Sequence, residues 1–333
     1  MSPRRFPRFS VLLAIAVAGL GCSETYDVGS TRPRGPLPVD ARNPVVLVND
    51  GAYDNLSGEY AVLLANAGGP PLAGIIVNSS TPYPDFNKNL SGWQGLVTAA
   101  RASGLLGLPD PVGSSSGGPL QRPASGTIED TVANASAGAQ AIVEISARLS
   151  LSYRPVVVAT GGALTDVADA YLLDHAVADR VFVVSSLGAT SASGADMGSP
   201  NGMFDPWADF IVASRFRYVQ VSAYYSEEMD VPVSRLSELP ANPFGAWITS
   251  KRSQLLTQPF ASDQGPVAAV GIPGYASTVE LVSSAPSLPA GASAGPALTS
   301  DPAGNAWLVT QVDGTKATNR FTQLLFDPAT YRH

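Results

Sequence analysis

The sequence predicts an α/β domain, an open and mostly parallel sheet flanked by helices, with a β-rich C-terminal extension. Three observations predict it. Short continuous apolar runs, many of them rich in Val and Ile, alternate with helical patterns along the chain. Strands buried on both faces and their crossover helices read this way. Hydrophobic residues make up 45% of the 333 residues and charged ones only 14%, so a large core can be buried and the composition is not that of a disordered chain. Gly (32) and Pro (28) are plentiful, as tight connections between buried elements require.

The N-terminus is organised differently. Arg4, Arg5 and Arg8 precede an apolar run from Ser10 to Leu20, which is too short to span a bilayer and fits the h-region of a secretory signal. Gly19-Leu20-Gly21-Cys22 follows, and Cys22 is the only cysteine, so no disulfide can form within the chain. A lone cysteine at this place resembles a lipoprotein signal, with Cys22 lipidated and a membrane anchor on the bacterial cell envelope. Ser23 favours the outer membrane. Gly19 stands where the usual lipobox has Leu, and an ordinary signal peptide cleaved nearby is the alternative. The expected organisation is a signal over 1–21, lipidated Cys22 and a Pro/Gly-rich tether over 22–43, the α/β domain over 44–271, and the C-terminal extension over 272–333.

Within the domain, Val45-Val46-Leu47-Val48 reads as a first buried strand, followed by a helix over 57–66 with Tyr60, Leu63 and Leu64 on one face. A strand over 72–77, helices over 90–105 and 133–149, and a strand over 155–159 come next. A helix over 164–173, a strand over 181–185, a helix over 207–215 and a strand over 218–222 complete the alternation. After Gly271 the helical pattern fades. The runs 278–282, 307–312 and 321–326 read as antiparallel strands, the first two separated by a Pro/Gly/Ala/Ser-rich loop over 286–303. The net charge is −7 with no Lys/Arg-rich run in the body, which argues against nucleic acid as a partner.

In open α/β sheets ligands bind beyond the carboxyl ends of the strands. After the first strand comes Asn49-Asp50-Gly51-Ala52-Tyr53-Asp54-Asn55. Two carboxylates and two amides on a tight turn before a helix make an oxygen cluster for a hard cation. The same residues equally fit a plain turn at Asp50 and a helix cap at Asp54 or Asn55. Later strand ends carry Thr160-Gly161-Gly162-Ala163-Leu164-Thr165-Asp166, Ser185-Ser186-Leu187-Gly188, Asn201-Gly202-Met203-Phe204-Asp205-Pro206 and Ser262-Asp263.

The order of these motifs resembles the inosine–uridine-preferring nucleoside hydrolases, over roughly 44–271. That family opens with Asp-x-Asp-Pro-Gly-x-Asp-Asp, matched here by Asp50, Asp54 and Asn55. Its Thr-Gly-Gly/Pro-Leu-Thr-Asn stretch is similar to 160–166. The resemblance implies a calcium-dependent hydrolase of N-glycosidic bonds in nucleosides or related ribosides. Calcium would be held by Asp50, Asn55, Asp263 and the carbonyl of Thr160. Asp54 would be the catalytic base, and Asn201, Asp54 and Asp263 would hold the ligand.

The chain departs from the family in ways that bear on catalysis. Asn55 replaces an aspartate, which weakens calcium binding. Ser199 stands in place of a sugar-binding Glu and Ser262 in place of a His. Of the two histidines, His175 reads as a surface turn and His333 is the last residue. Either the leaving group needs no such acid, or Tyr53, Tyr224 or Tyr225 supplies the proton, or catalysis is crippled. A weakened sugar- or nucleoside-binding lipoprotein is therefore the alternative function. Gly113-Ser114-Ser115-Ser116-Gly117 fits a nucleophile motif but lacks a clear strand before it and a helix after it, and reads as a Ser/Gly loop. Trp207 and Tyr83 read as core residues, with ligand contact as the alternative.

Overall fold

A computed structural model of the chain describes residues 36–51, 57–81, 83–114, 118–186, 190–191, 200–221, 233–255, 264–284, 288, 290–292, 295–304 and 306–331. The strands are β1 (Val45–Asn49), β2 (Leu72–Val77), β3 (Pro111–Gly113), β4 (Val156–Thr160), β5 (Val181–Ser185), β6 (Thr190–Ser191), β7 (Arg217–Val221), β8 (Ala276–Ser284), β9 (Ala297–Ser300) and β10 (Ala306–Val312). Among the described residues they form one sheet in the order β3-β2-β1-β4-β5-β7-β10-β8-β9-β6. Every pairing from β3 through to β10 is parallel, and β8 runs antiparallel to both β10 and β9.

The helices are α1 (Ser57–Asn66), α2 (Phe86–Ala102), α3 (Ala137–Leu149), α4 (Thr165–Leu173), α5 (Val177–Arg180), α6 (Pro200–Phe204), α7 (Pro206–Arg215), α8 (Pro243–Leu255), α9 (Gln264–Gly271) and α10 (Gly314–Phe326). Two hydrophobic cores cover the two faces of the sheet. Val45 and Leu47 of β1 join α1, α2, α8, α9 and α10 on one face. Val46 and Val48 join α3, α4 and α7 on the other. The strict alternation of one strand between two cores explains why the run is apolar at every position. Each fully buried Val or Leu contributes about 1.5–3 kcal/mol by leaving water.

The strands expected at 72–77 and 181–185 and the helix at 57–66 have the bounds the sequence predicts. The C-terminal region does not. The run 321–326 lies in α10, a helix rather than a strand. Ala317, Phe321, Leu324 and Leu325 are buried at spacings of four, three and one, which is a helix face. Asp313 caps the helix by accepting from Lys316 N at 2.9 Å. Read alone, its last six residues look like an apolar strand. The run 307–312 is also not purely antiparallel, since β10 pairs parallel to β7 and antiparallel to β8. Helices α8 and α9 were not predicted. Among the described residues no helix is long and apolar enough to cross a membrane.

Candidate functional site

The chain leaves β1 for β2 and β3 on one side, then returns to place β4 on the other side of β1. This reversal opens a crevice at the carboxyl ends of β1 and β4, where α/β sheets bind ligands. The register sets Val48 beside Thr160 and Asn49 beside Val77. Asp50, Asn78 and Gly161 therefore follow directly from three adjacent strand ends.

Asp50 is buried, only 2% exposed. Its Oδ1 accepts from Gly51 N at 2.7 Å and its Oδ2 accepts from the Ser80 hydroxyl. Its carbonyl accepts from Trp93 Nε1 of α2 at 3.1 Å, and its own N–H donates to Asn49 Oδ1 at 2.7 Å. Burial pushes the Asp50 carboxyl above the usual range, opposed by the bonds from Ser80 and Gly51. Among the described residues no Lys or Arg offsets this charge.

Across the crevice, the Thr160 carbonyl accepts from Ser186 N at 2.8 Å, and Gly161 N donates to Val48 O at 3.0 Å. The Thr160 hydroxyl donates to Gly162 O at 2.9 Å. Asn201, in α6, donates from Nδ2 to Gly161 O at 2.5 Å. So Asp50, Thr160 and Asn201 are brought to the same crevice. Asp54, Asn55, Asp263, Ser199, Ser262, Tyr53, Tyr224, Tyr225, Cys22 and His333 lie outside the described residues.

Sequence reasoning missed Asn78, the residue that ends β2's run into the crevice. Asn78 is 3% exposed. Its Nδ2 donates to Ala163 O at 3.2 Å and to Asp166 Oδ2 at 3.0 Å, while its Oδ1 is buried with no partner among the described residues. A Cβ on Gly162 would lie 2.8 Å from that oxygen, so a side chain there would press on it. The strand-end rule that found Asp50 was the signal that could have found it.

The described part of this site offers oxygen donors. The available donors are the Asp50 carboxylate and the Thr160 carbonyl, oxygens of the kind a hard cation takes. Among the described residues the buried Asp50 carboxyl has no cationic partner. Among the described residues no group of three or more His, Cys, Asp or Glu is disposed to hold a metal.

Other expectations resolve plainly. Trp207 is a core residue: its Nε1 donates to Thr131 Oγ1 at 3.0 Å and its ring stacks on Phe210 at 5.1 Å. Tyr83 packs against the core under α2 and accepts at its carbonyl from Asn89 Nδ2 at 2.9 Å. His175 stacks on Tyr171 at 4.6 Å, beyond the end of α4 remote from the crevice. A short strand, β3, does precede the Ser/Gly motif, contrary to expectation. Ser114 is buried and donates to Asp166, while Ser115 to Gly117 lie outside the described residues.

A scan against family models and a search of curated proteins return no match. Solved structures do match. An inosine–guanosine nucleoside hydrolase aligns with a TM-score of 0.60 at 16% identity, covering 87% of this chain and 99% of its own. A purine-preferring ribonucleoside hydrolase from Gardnerella vaginalis gives 0.56 at 15%, covering 86% and 100%. The fold is that of the nucleoside hydrolases. The type III effector XopQ, complexed with adenosine diphosphate ribose, aligns at 0.53 and 14% identity over 91% of this chain and 97% of its own. In this nucleoside hydrolase-like fold the crevice between β1 and β4 is the natural place for a ligand.

Proposed function

We propose that the chain is a calcium-dependent hydrolase of N-glycosidic bonds in nucleosides or related ribosides. The observation that carries this reading is the convergence of Asp50, Thr160 and Asn201 at the switch point of a nucleoside hydrolase-like fold. Asp50, Asn55, Asp263 and the Thr160 carbonyl hold the cation. Calcium supplies, when bound, a Lewis-acid anchor for water and for ribosyl hydroxyls. Asp54 takes the proton of the attacking water as its oxygen bonds to C1′. The C1′–N bond breaks, its electron pair leaves with the base, and the base takes up a proton. Asn201 already spends one N–H on Gly161 O and holds the sugar with its remaining polar atoms. Cys22 anchors the protein by a lipid on the bacterial envelope, the outer membrane being favoured.

A second reading, a surface lipoprotein that binds a sugar or nucleoside without turnover, is favoured by Asn55, Ser199 and Ser262 in place of an acid, a Glu and a His. Calcium titration of the full chain by calorimetry, followed by assay of sugar released from inosine and uridine, separates the two. Saturable calcium binding lost in Asp50→Ala, with sugar release abolished in Asp54→Asn, is expected. Binding without release assigns the second reading. No calcium binding at millimolar concentration overturns the calcium-dependent mechanism.

A further inference from the structure

The orphaned oxygen of Asn78 is held in place by a chain of buried groups. Asn78 Nδ2 has two hydrogens, and both are spent on groups that accept: the Ala163 carbonyl and Asp166 Oδ2. The amide orientation is thus fixed by its surroundings. Asp166 Oδ1 in turn accepts from Ser136 Oγ at 2.8 Å and from Ser114 Oγ. Those hydroxyls accept from Ala139 N at 3.1 Å and Gly138 N at 3.2 Å, and their protons point at Asp166.

Ser136 is itself held. The turn before α3 places Ala135 at φ 54°, a left-handed conformation unusual for a side chain with a Cβ. Asp169 supports that turn by accepting from Asn134 N at 2.8 Å, Ala135 N at 3.2 Å and Ser136 N at 2.8 Å. Backbone strain of this kind persists only where surrounding structure over-determines it. The network therefore ends, at its crevice side, in one acceptor without a donor among the described residues, beside a glycine.

We propose that Asp166 is a positioning residue. It locks the Asn78 amide with Oδ1 turned toward Gly162, so this point of the site takes a hydroxyl donor of the ligand and refuses an acceptor. The proposal rests on the riboside reading above, whose ligand carries such hydroxyls. Loss of Asp166 removes the lock and leaves the amide free to turn its NH2 into the site.

The test is titration of the full chain with D-ribose in saturating calcium, by calorimetry, with thermal unfolding measured in parallel. Asp166→Asn places an NH2 against the Asn78 NH2, and its affinity should fall by about five- to ten-fold, the worth of one neutral hydrogen bond. The swapped pair Asn78→Asp with Asp166→Asn again leaves an acceptor facing the site, and should recover most of the loss. Gly162→Ala, which sets a Cβ 2.8 Å from the oxygen, should weaken ribose without touching Asp166, and decides the matter if Asp166→Asn does not fold. Wild-type affinity in a folded Asp166→Asn or in Gly162→Ala overturns the proposal. A loss in Asp166→Asn that the swap fails to recover makes Asp166 merely structural and also overturns it. Absence of ribose and inosine binding by the wild type overturns the riboside reading, and the proposal with it.

Discussion

Asp166 and Asp209 lie on packed helices, α4 and α7, and both are fully buried. Desolvation pushes both carboxyls upward. They differ in what surrounds them. Asp166 accepts from two hydroxyls and an amide. Among the described residues nothing donates to Asp209, and it faces the charge of Asp205, which adds to its upward shift. Asp205 is itself committed: it caps α7 by accepting from Ala208 N at 2.9 Å and also takes Leu120 N and Thr165 Oγ1. Burial costs both carboxyls the same kind of energy. Only Asp166 returns it as order, because each donor it satisfies belongs to a different element.

Three substitutions probe that contrast. Asp166→Ala strands the Ser114, Ser136 and Asn78 donors together, and should cost roughly 3–5 kcal/mol in urea unfolding. A cost no larger than a surface substitution would show that the network relaxes around the gap. Ser136→Ala removes the α3 cap on Ala139 N and one donor to Asp166, for about 1–2 kcal/mol. Asp209→Asn should act in the opposite direction and by less, raising stability by roughly 1 kcal/mol near pH 8.

The sign for Asp209 follows from its raised folded-state pKa. The fold favours the protonated acid, so its contribution is fully present below the unfolded value of about 3.9. It is lost progressively as pH rises from there through the folded value. The gain from Asp209→Asn should therefore vanish near pH 4 and grow with pH. A gain independent of pH would mean that packing, and not charge, sets the cost.

Much of this arrangement was legible in the sequence because it rests on local pattern. The β-branched run at 45–48 and the apolar runs at 72–77 and 181–185 announce a doubly covered sheet, and the polar turn after each announces the crevice. Asp50 and Thr160 stand at such strand ends, whereas the role of Asn201 comes from the resemblance to the nucleoside hydrolases. Asn78 has a strand-end signal, but the role of Asp166 is pairwise: a carboxylate 88 positions away from the amide it holds has no periodic signature. Helix α10 was misread for a related reason. Its buried stripe begins at Ala317, four residues before the apolar run that drew the eye. Helix α8 is weakly patterned, with Phe244 and Ile248 its fully buried side chains among those described.

The place of β10 has a consequence for the order in which the sheet can be completed. It sits inside the sheet, between β7 and β8, although it is the last strand in the chain. Until residues 306–312 arrive, β7 has an unpaired edge and β8 lacks the neighbour that joins it to the parallel part. Interior strands supplied late in sequence raise contact order and slow folding, and unpaired edges invite association with other chains. Emerging from a ribosome, this chain would carry an open seam down its middle until residues 306–312 were out, and a chaperone that guards strand edges would find its work there.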